Sequence, residues 1–293
     1  MDLERLEACS LCRSPNLVTV DAERYFCRCS DCGYIFDNPR PTAAEIVRFY
    51  SKPGQYRDWL EEEVARDRMW QRRLRKLRRA GLSGSLLDVG SGTGQFLHHA
   101  KATFSQVLGT EVSTEAVQVA RRKYDIELLA SEFESSEFPE QFDVVTLFHV
   151  LEHVPDPRRT VTRCYQVLRP GGMLIIAVPN DVQSLKQRLR RFLGRIPLLK
   201  PRIAGPLALP RLTLEKVGQE VHLSHFTPTV LEGFLKRLGF TDVQTALDPY
   251  YARSGFRELR ADLRYAVFSM INSVLRQNLY STIWVQARRP PIS

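Results

Sequence analysis

The sequence lacks the features that mark membrane-spanning and secreted proteins. None of its apolar runs approaches the roughly 20 residues that a bilayer-spanning helix needs, and its first residues are charged and mixed, unlike a secretion signal. Its 6 cysteines in 293 residues are too few for a secreted disulfide scaffold. We therefore expect a cytoplasmic protein, in which 43% hydrophobic residues suffice for one good core and a small accessory module.

The cysteines cluster near the start of the chain. Cys9 and Cys12 form one Cys-x2-Cys pair, and after sixteen intervening residues Cys29 and Cys32 form a second. Each pair presents two thiolates from one turn, and two such pairs suit tetrahedral zinc. The segment between them has the length of a short hairpin, which is too small to form a stable apolar core without a metal. The spacing therefore predicts a zinc ribbon, with unliganded reduced thiols as the alternative.

A glycine-rich turn follows an apolar, strand-like segment at 86–89. The turn contains Gly90, Gly92 and Gly94, and residues 95–100 then have a helical pattern. Glycines at a strand-to-helix turn let the backbone approach a ligand, and the N-terminus of the following helix is electropositive. The spacing is G-x-G-x-G and not the G-x-G-x-x-G of dinucleotide sites, so it implies no bound pyrophosphate. By itself, the turn also fits a purely structural role.

An acidic residue supports a nucleoside ligand at this turn. The next predicted strand ends near Glu111, 23 residues beyond Asp88. A carboxylate at the end of the second strand can accept hydrogen bonds from both hydroxyls of a ribose. Together the two features predict a nucleoside site at the ends of the first two core strands.

Two further segments indicate the type of domain. Residues 142–157 contain a strand that ends in Phe-His-Val-Leu-Glu-His, and residues 168–172 read Leu-Arg-Pro-Gly-Gly. In this order, the glycine turn and these segments resemble the class I S-adenosylmethionine-dependent methyltransferases. The resemblance implies S-adenosylmethionine as the cofactor, and another nucleotide-binding α/β domain without methyl chemistry is the alternative. The residues that it assigns to cofactor binding are Asp88, Gly90, Ser91, Gly92, Gly94, Glu111, Val112, Ser131, Glu132, Phe148 and His149.

The central part of the chain alternates between strand and helix patterns. The predicted elements lie at 86–90, 94–102, 106–111, 113–123, 126–130, 143–150, 157–168 and 173–179. This alternation indicates a parallel sheet with helices on both faces. The resemblance implies a doubly wound, mostly parallel α/β sheet of seven strands, which the predicted strands 241–247 and 282–288 close. Ligands of such sheets bind beyond the carboxyl ends of the strands, where the motifs fall.

The remaining segments define the organisation of the chain. Residues 32–42 sharpen the resemblance to bacterial methyltransferases that carry an N-terminal zinc ribbon. The predicted regions are a zinc ribbon at 1–40, a helical connector over the cofactor site at 41–82, a methyltransferase domain at 83–293, and within it a substrate insertion at 181–221 and an extra amphipathic helix at 255–276.

The formal charge of +9 is unevenly distributed, with basic runs at 66–79 and 186–216. Such runs attract anionic or phosphorylated acceptors, nucleic acid or anionic lipid, although a solvated helix face is favoured for the first run. Arginines also flank the apolar face of the predicted helix 255–276. Such a face usually packs on its own domain, and peripheral contact with an anionic membrane or pairing with a second subunit are the alternatives.

The predicted chemistry requires a general base. Methyl transfer is an in-line displacement, so most of the catalysis comes from holding the acceptor about 3 Å from the methyl group. An oxygen or carbon acceptor also loses a proton. His222 is the predicted base because it ends the insertion and because imidazole titrates near neutral pH. Glu220 is the predicted orienting or second acidic group, since this segment resembles the Glu-His pair of zinc-ribbon sugar C-methyltransferases. His153, at the mouth of the predicted cofactor pocket, is the alternative base.

The predicted function is methyl transfer to an oxygen or carbon atom of a small molecule. The resemblance to enzymes of surface-polysaccharide and natural-product pathways suggests a sugar, a nucleotide-sugar, a natural-product or a lipid-linked acceptor. The alternative is an RNA methyltransferase that uses the ribbon and the basic runs to bind phosphates. Against it, the N/D-P-P-Y-type loop that binds a planar base amine is absent after the fourth core strand.

Overall fold

The structure is a computed structural model that describes residues 2–194, 196, 205–216, 218, 220–249 and 255–292. Parts of the predicted insertion, namely 195, 197–204, 217 and 219, therefore lie outside the described residues. The predicted helix at 255–276 lies within them.

Five short strands form the N-terminal region. They are β1 (Leu3–Glu4), β2 (Leu17–Asp21), β3 (Phe26–Cys29), β4 (Ile35–Asp37) and β5 (Arg40–Pro41). β2, β3 and β4 pair antiparallel in sequence order, and β1 pairs antiparallel with β5. The segment between the two cysteine pairs is therefore a hairpin.

Three helices follow in the predicted connector, α1 (Ala43–Tyr50), α2 (Arg57–Glu61) and α3 (Glu63–Arg79). α1 begins where the side chain of Thr42 accepts a hydrogen bond from the Glu45 N–H, which satisfies one of the free donors of the first turn. α3 packs its apolar face, including Trp70 and Leu74, into the core beside the central sheet.

α3 also carries part of the first basic run into the interior. Arg73 is fully buried, and its guanidinium donates two hydrogen bonds to the carboxylate of Asp248, at 3.1 and 2.5 Å. Arg66 is buried as well. The expected solvated face is therefore wrong at these two positions, because burial of an arginine is tolerated where a carboxylate pairs with it.

Strands and helices then alternate along the chain. The elements before the insertion are β6 (Ser85–Val89), α4 (Gln95–Ala100), β7 (Gln106–Thr110), α5 (Thr114–Tyr124), β8 (Phe142–Phe148), α6 (Pro157–Val167) and β9 (Leu168–Pro179). Those within and after it are α7 (Leu185–Leu193), β10 (Ser224–His225), α8 (Pro228–Arg237), β11 (Thr241–Ala246), α9 (Phe256–Leu275) and β12 (Thr282–Arg288). β9 starts earlier than predicted because the Leu-Arg-Pro-Gly-Gly segment is already part of the strand.

The central sheet has the strand order β11-β12-β9-β8-β6-β7. β9, β8, β6 and β7 are parallel, and β12 pairs antiparallel with both β9 and β11. This arrangement confirms the doubly wound, mostly parallel class. Within the described residues the sheet has six strands instead of the predicted seven, because the segment 126–130 contributes only one parallel bridge, between Leu129 and Thr110.

Both faces of the central sheet are covered. Successive residues of a strand point to opposite faces, and accordingly Leu86 and Leu87 of β6 belong to different buried clusters. Strands covered on both faces read as continuous apolar runs, which explains the sequence pattern before the glycine turn. The carboxyl ends of β6, β7 and β8 consequently meet at one edge.

The N-terminal strands pack on the predicted methyltransferase domain. β10 pairs antiparallel with β4, so the ribbon sheet has the order β10-β4-β3-β2 and contains a strand from beyond residue 220. The hydroxyl groups of Tyr34 and Ser224 lie 2.5 Å apart, and the Asp37 N–H donates to the Leu223 carbonyl at 3.0 Å. The predicted ribbon is thus completed by the segment that carries His222.

The long helix α9 is largely exposed. Ala261 is the one buried residue among its 20, and the apolar row that was expected to pack on its own domain faces outward in the described part of the chain, so that expectation is wrong. The exposed members of the row are Phe256, Leu259, Leu263, Val267, Met270 and Val274. Among the described residues, no helix combines the length and the apolar character needed to cross a bilayer.

Candidate active site

A cavity of about 290 Å³ opens at the carboxyl ends of the parallel strands. This volume is at the lower end of the range for small-molecule sites, which begins at about 300 Å³. The cavity brings together most of the residues predicted to bind cofactor and two of those predicted to be catalytic. The predicted residues in its lining are Gly90, Gly92, Glu111, Val112, Ser131, Glu132, Phe148, His149, His153 and Glu220.

The glycine turn forms one wall of the cavity. Gly90 has a φ of +66°, and a Cβ atom there would lie 2.6 Å from a methyl group of Val150. Only glycine therefore fits the turn and keeps the backbone at the cavity surface. Gly94 has a different role, since its φ of +76° begins α4 and a Cβ there would lie 2.8 Å from that of Ala120 in α5. Gly94 does not line the cavity and serves the packing of α4 on α5.

Glu111 lies at the floor of the cavity, at the end of β7. Its carboxylate accepts hydrogen bonds from the N–H groups of Gly92, at 2.8 Å, and Ser113, at 2.9 Å, and from the Tyr56 hydroxyl at 3.2 Å. Burial raises the pKa of Glu111, against the effect of the two N–H donors. The glycine turn thus holds the carboxylate in place beside the ligand space. This is the arrangement expected of a group that accepts hydrogen bonds from ribose hydroxyls.

Asp88 and Ser91 support the turn from behind and do not line the cavity. The Asp88 side chain accepts a hydrogen bond from the Thr146 hydroxyl at 2.5 Å, and the Ser91 hydroxyl donates to the Asp88 carbonyl at 2.9 Å. Burial raises the pKa of Asp88 to about 7. The structure therefore places both residues where they order the glycine turn.

The segment after β8 lines a further part of the cavity, which we call the histidine end. His149 has a left-handed φ of +58° at the strand end, and its Nδ1 lies 3.1 Å from Oε1 of Glu152. His153 faces the cavity with its Nδ1 only 2.6 Å from the Val221 carbonyl oxygen. The Tyr50 hydroxyl lies 2.9 Å from the same nitrogen. Burial lowers the pKa of His153.

His222 lies behind His153, with the ring centroids 5.1 Å apart, and is not in the cavity lining. Its Nδ1 is 3.0 Å from Oδ2 of Asp181, and its Nε2 is 3.6 Å from Oε2 of Glu220. Burial acts to lower the pKa of His222, but the carboxylates of Asp181 and Glu220 hold it well above the usual value. The three predicted catalytic residues are thus neighbours, and His153 and Glu220 contact the ligand space.

Comparison with known proteins agrees with this geometry. A family model described as a methyltransferase domain matches residues 57–245, more than half of the chain. The chain belongs to this family. It is an S-adenosylmethionine-dependent methyltransferase, as are its relatives.

Two relatives of the methyltransferase are each named ubiquinone biosynthesis O-methyltransferase. The protein of Aromatoleum aromaticum is 36% identical over 170 residues, which cover 55% of this chain and 66% of that relative. The protein of Thiobacillus denitrificans is 33% identical over 167 residues, which cover 54% and 71% of the two chains. The matched segment thus spans about two thirds of the length of these relatives.

Solved structures support the fold. Magnesium protoporphyrin IX methyltransferase from Synechocystis PCC 6803 with bound SAH has a TM-score of 0.53 at 15% identity, covering 85% of this chain and 100% of that chain. A methyltransferase from Thermotoga maritima, described as a possible histamine N-methyltransferase, has a TM-score of 0.51 at 18% identity, covering 83% and 99%. At these identities, the likeness concerns the fold alone.

The four predicted zinc ligands of the methyltransferase also lie together. The Sγ atoms of Cys9 and Cys32 are 3.6 Å apart, as are those of Cys12 and Cys29, and all four lie within 4.8 Å of one another. Tetrahedral zinc with bonds of about 2.3 Å separates its sulfur ligands by about 3.8 Å. The cysteines are free thiols at these distances, so their arrangement fits a zinc ion and not a pair of disulfides.

Sequence reasoning missed two residues of the site. Asp181 fixes His222 from 41 positions earlier in the chain, and no spacing pattern connects two side chains so far apart. Glu152 is only 1% exposed and lies between His149 and His153. The sequence did contain a signal for Glu152, because it is an acidic residue inside a predicted core segment. Buried carboxylates are rare without partners, so such a residue indicates a partner nearby.

Proposed function

We propose that this methyltransferase transfers the methyl group of S-adenosylmethionine to an oxygen atom of a small-molecule acceptor. The observation that carries the proposal is that one cavity is lined both by predicted cofactor residues and by His153 and Glu220. The relatives named as O-methyltransferases favour oxygen over carbon. The proposed acceptor classes remain those predicted from the sequence, namely a sugar, a nucleotide-sugar, a natural product or a lipid-linked intermediate.

Different residues of the cavity are proposed to bind the cofactor and to take the proton of the acceptor. S-adenosylmethionine supplies an electrophilic methyl group on a sulfonium, and the acceptor oxygen attacks that carbon in line. Glu111 is proposed to accept hydrogen bonds from the ribose hydroxyls while the Gly92 N–H holds its carboxylate in place. A nucleoside bound by this carboxylate would be held in one place in the cavity, beside the residues proposed to bind the acceptor.

The acceptor hydroxyl loses its proton at the histidine end. Of the two predicted bases, His153 contacts the ligand space directly, whereas His222 stands behind it beside Glu220. The assignment of the base to His222 therefore stays a prediction, and a comparison of the two alanine variants decides it. Removal of a general base lowers turnover by about 10²–10⁴-fold.

We also infer that Cys9, Cys12, Cys29 and Cys32 hold one structural zinc ion. The support is the separation of 3.6 Å in each of two sulfur pairs and the closeness of all four atoms. Four protein ligands leave no open position, which is the pattern of structural and not of catalytic zinc.

Turnover with defined acceptors tests the proposed reaction. The full chain is incubated with S-adenosylmethionine and, in separate reactions, with phenols, sugars, nucleotide-sugars and RNA, and the release of S-adenosylhomocysteine is measured. We expect release with one small-molecule class, and an O-methyl group in the product by NMR. A C-methyl product, or methylation of RNA alone, contradicts the proposal.

The predicted membrane contact at 255–276 is kept as a proposal, with an anionic lipid surface as the partner. Glu258 and Asp262 of α9 pair with arginines of α3, which leaves Arg257 and Arg260 exposed beside the apolar row. The charge at this surface is therefore complementary to anionic lipid. The cytoplasmic location expected from the sequence also stays a prediction.

Sedimentation with vesicles tests this contact. We expect the chain to bind phosphatidylglycerol vesicles and not phosphatidylcholine vesicles, and the double variant Leu259→Ser, Leu263→Ser to bind at least about tenfold more weakly, since each lost apolar side chain removes about 1.5 kcal/mol or more. Val64→Ser is the matched control, because Val64 is 69% exposed elsewhere. Equal sedimentation of wild type and double variant, or a dimer that the double variant dissolves, contradicts the proposal.

A further inference from the structure

The histidine end of the cavity contains a second group of side chains with the chemistry of metal ligands. Glu152, His153 and His222 each present a nitrogen or oxygen atom, and these atoms lie within 4.8 Å of one another. Glu220 adds a carboxylate oxygen 3.6 Å from Nε2 of His222. This Glu–His cluster is separate from the four cysteines and borders the cavity through His153 and Glu220.

The protonation of both imidazoles is fixed by their outer contacts. Nδ1 of His153 faces the Val221 carbonyl oxygen at 2.6 Å, and Nδ1 of His222 faces the Asp181 carboxylate at 3.0 Å. Carbonyl and carboxylate oxygens accept hydrogen bonds, so Nδ1 is the donor in each ring. Nε2 of each ring therefore carries the lone pair in the neutral imidazole and points into the cluster. Metal-binding histidines are oriented in this way by a carboxylate or carbonyl behind the ring.

The separations inside the cluster are too long for hydrogen bonds. Nε2 of His153 is 3.8 Å from Oε1 of Glu152, and Nε2 of His222 is 3.6 Å from Oε2 of Glu220. An ion-pair network would close such gaps to about 2.7–3.2 Å. By contrast, ligands of a tetrahedral ion with bonds of about 2.1 Å lie about 3.4 Å apart. The spacing is therefore closer to that of ligands around an ion.

Two atoms of the cluster are buried without a hydrogen-bond partner among the described residues, Oε2 of Glu152 and Nε2 of His222. A buried carboxylate oxygen or ring nitrogen left in this state costs about 1–3 kcal/mol. A cation between them would satisfy both at once. The two unpartnered atoms and the long distances within the cluster therefore both indicate a cation at the centre of the cluster.

We propose that Glu152, His153 and His222 bind a divalent transition-metal ion, with the fourth position left open beside Glu220 on the cavity side. Two imidazoles and carboxylates suit zinc and its neighbours in the first transition row better than magnesium or calcium, which prefer all-oxygen sites. Asp181 is the positioning residue, since it orients His222 without reaching the cluster's centre.

The position of the ion suggests its use, which rests on the proposed function. A divalent cation lowers the pKa of a hydroxyl that approaches it. The acceptor's proton would leave to solvent or to Glu220, its oxygen would form the new bond to the methyl carbon, and the carbon–sulfur bond would break to leave a neutral thioether. In this arrangement the metal ligands activate the acceptor hydroxyl together, and neither histidine is the general base by itself.

A metal count tests the binding site independently of turnover. The purified full chain is saturated with Co²⁺, freed of unbound metal, and analysed for total zinc plus cobalt. We expect two metal ions per wild-type chain, and one in His222→Ala and in Glu152→Gln. The second ion should give visible d–d bands of Co²⁺ without the thiolate charge-transfer absorption of a cysteine site. His98→Ala, in an exposed histidine of α4, is the matched control and keeps both ions.

Asp181→Asn refines the test, because loss of an orienting partner weakens metal binding by about 10–100-fold while the ligands remain. Unchanged affinity for S-adenosylmethionine shows that each variant is folded. One metal ion per wild-type chain, or a second ion retained in both His222→Ala and Glu152→Gln, overturns the proposal. If two ions are found but no hydroxyl compound is methylated, the binding site stands and the proposed function fails.

Discussion

The cysteine cluster and the Glu–His cluster of this methyltransferase are assembled in different ways. The cysteines come from 24 consecutive residues, and a single hairpin brings the two pairs together. Glu152 and His222 are 70 positions apart, and they meet because the N–H groups of Leu223 and Ser224 donate hydrogen bonds to the Glu152 carbonyl. Local spacing therefore predicted the first cluster as a metal site. Of the second cluster, the two histidines were predicted only as alternative bases and Glu220 as an orienting group, and Glu152 was not predicted.

The two clusters are also joined. β10 is at once the fourth strand of the ribbon sheet and the segment that follows His222. Asp181 extends this connection, because its carboxylate is 3.0 Å from His222 and 3.6 Å from Nδ1 of His225 in β10. The ribbon therefore serves as a support for the histidine end of the cavity. Changes at either cluster show how strong this coupling is.

Removal of the zinc ion that we propose for the ribbon should have the largest effect. In the variant Cys29→Ser, Cys32→Ser we expect the zinc content to fall by one ion per chain, and turnover to be lost as β10 loses its partner strands. Zinc binding contributes about 10–16 kcal/mol to folding in zinc-finger peptides. Elemental analysis and hydrogen exchange at residues 220–225 measure the two effects.

Cys27→Ser is the control for this variant, since Cys27 lies in β3 but outside the group of four thiols. It should keep the zinc ion and turnover. Full zinc content in the double variant would show that the cysteines do not hold the metal.

The second prediction concerns the two histidines. His222→Ala is expected to bind S-adenosylmethionine normally and to lower turnover by about 10²–10⁴-fold, as for loss of a general base. Calorimetry and steady-state rates separate the two properties. If His153→Ala shows this behaviour and His222→Ala keeps near-full turnover, then His153 is the base and the sequence assignment is wrong. Similar losses in both variants agree with a shared metal ion.

The third prediction tests the part of the cavity that is predicted to bind the cofactor. Glu111→Ala should weaken S-adenosylmethionine binding by about 1.5–3 kcal/mol, the range for hydrogen bonds to a charged group. This change corresponds to roughly 10–150-fold in Kd. Glu127→Ala is a suitable control, because that carboxylate is exposed and pairs only at the surface with Arg121. Unchanged affinity in Glu111→Ala would refute the ribose assignment.

The sequence predicted what depends on neighbouring residues in the chain. The strand before Gly90, the helix after it and the placement of Glu111 all follow from local patterns, and the structure has them in place. The buried pair of Arg73 and Asp248 could not be predicted, because nothing local distinguishes Arg73 from the exposed arginines of its run. The outward face of α9 was also missed, since periodicity shows that a face is apolar but not what covers it.

The smallest predicted effect concerns the contact that joins the two clusters most directly. The Tyr34 and Ser224 hydroxyls lie 2.5 Å apart in the buried interface between the ribbon and β10. Tyr34→Phe removes one hydroxyl and should lower the free energy of unfolding by about 1 kcal/mol, with the zinc ion retained. Ser224→Ala instead leaves the buried Tyr34 hydroxyl without this partner, which costs about 1–3 kcal/mol. Chemical denaturation of both single variants and the double variant gives the coupling energy. A coupling near zero, with unchanged turnover in all three, would show that the ribbon does not position the histidine end of the cavity through this contact.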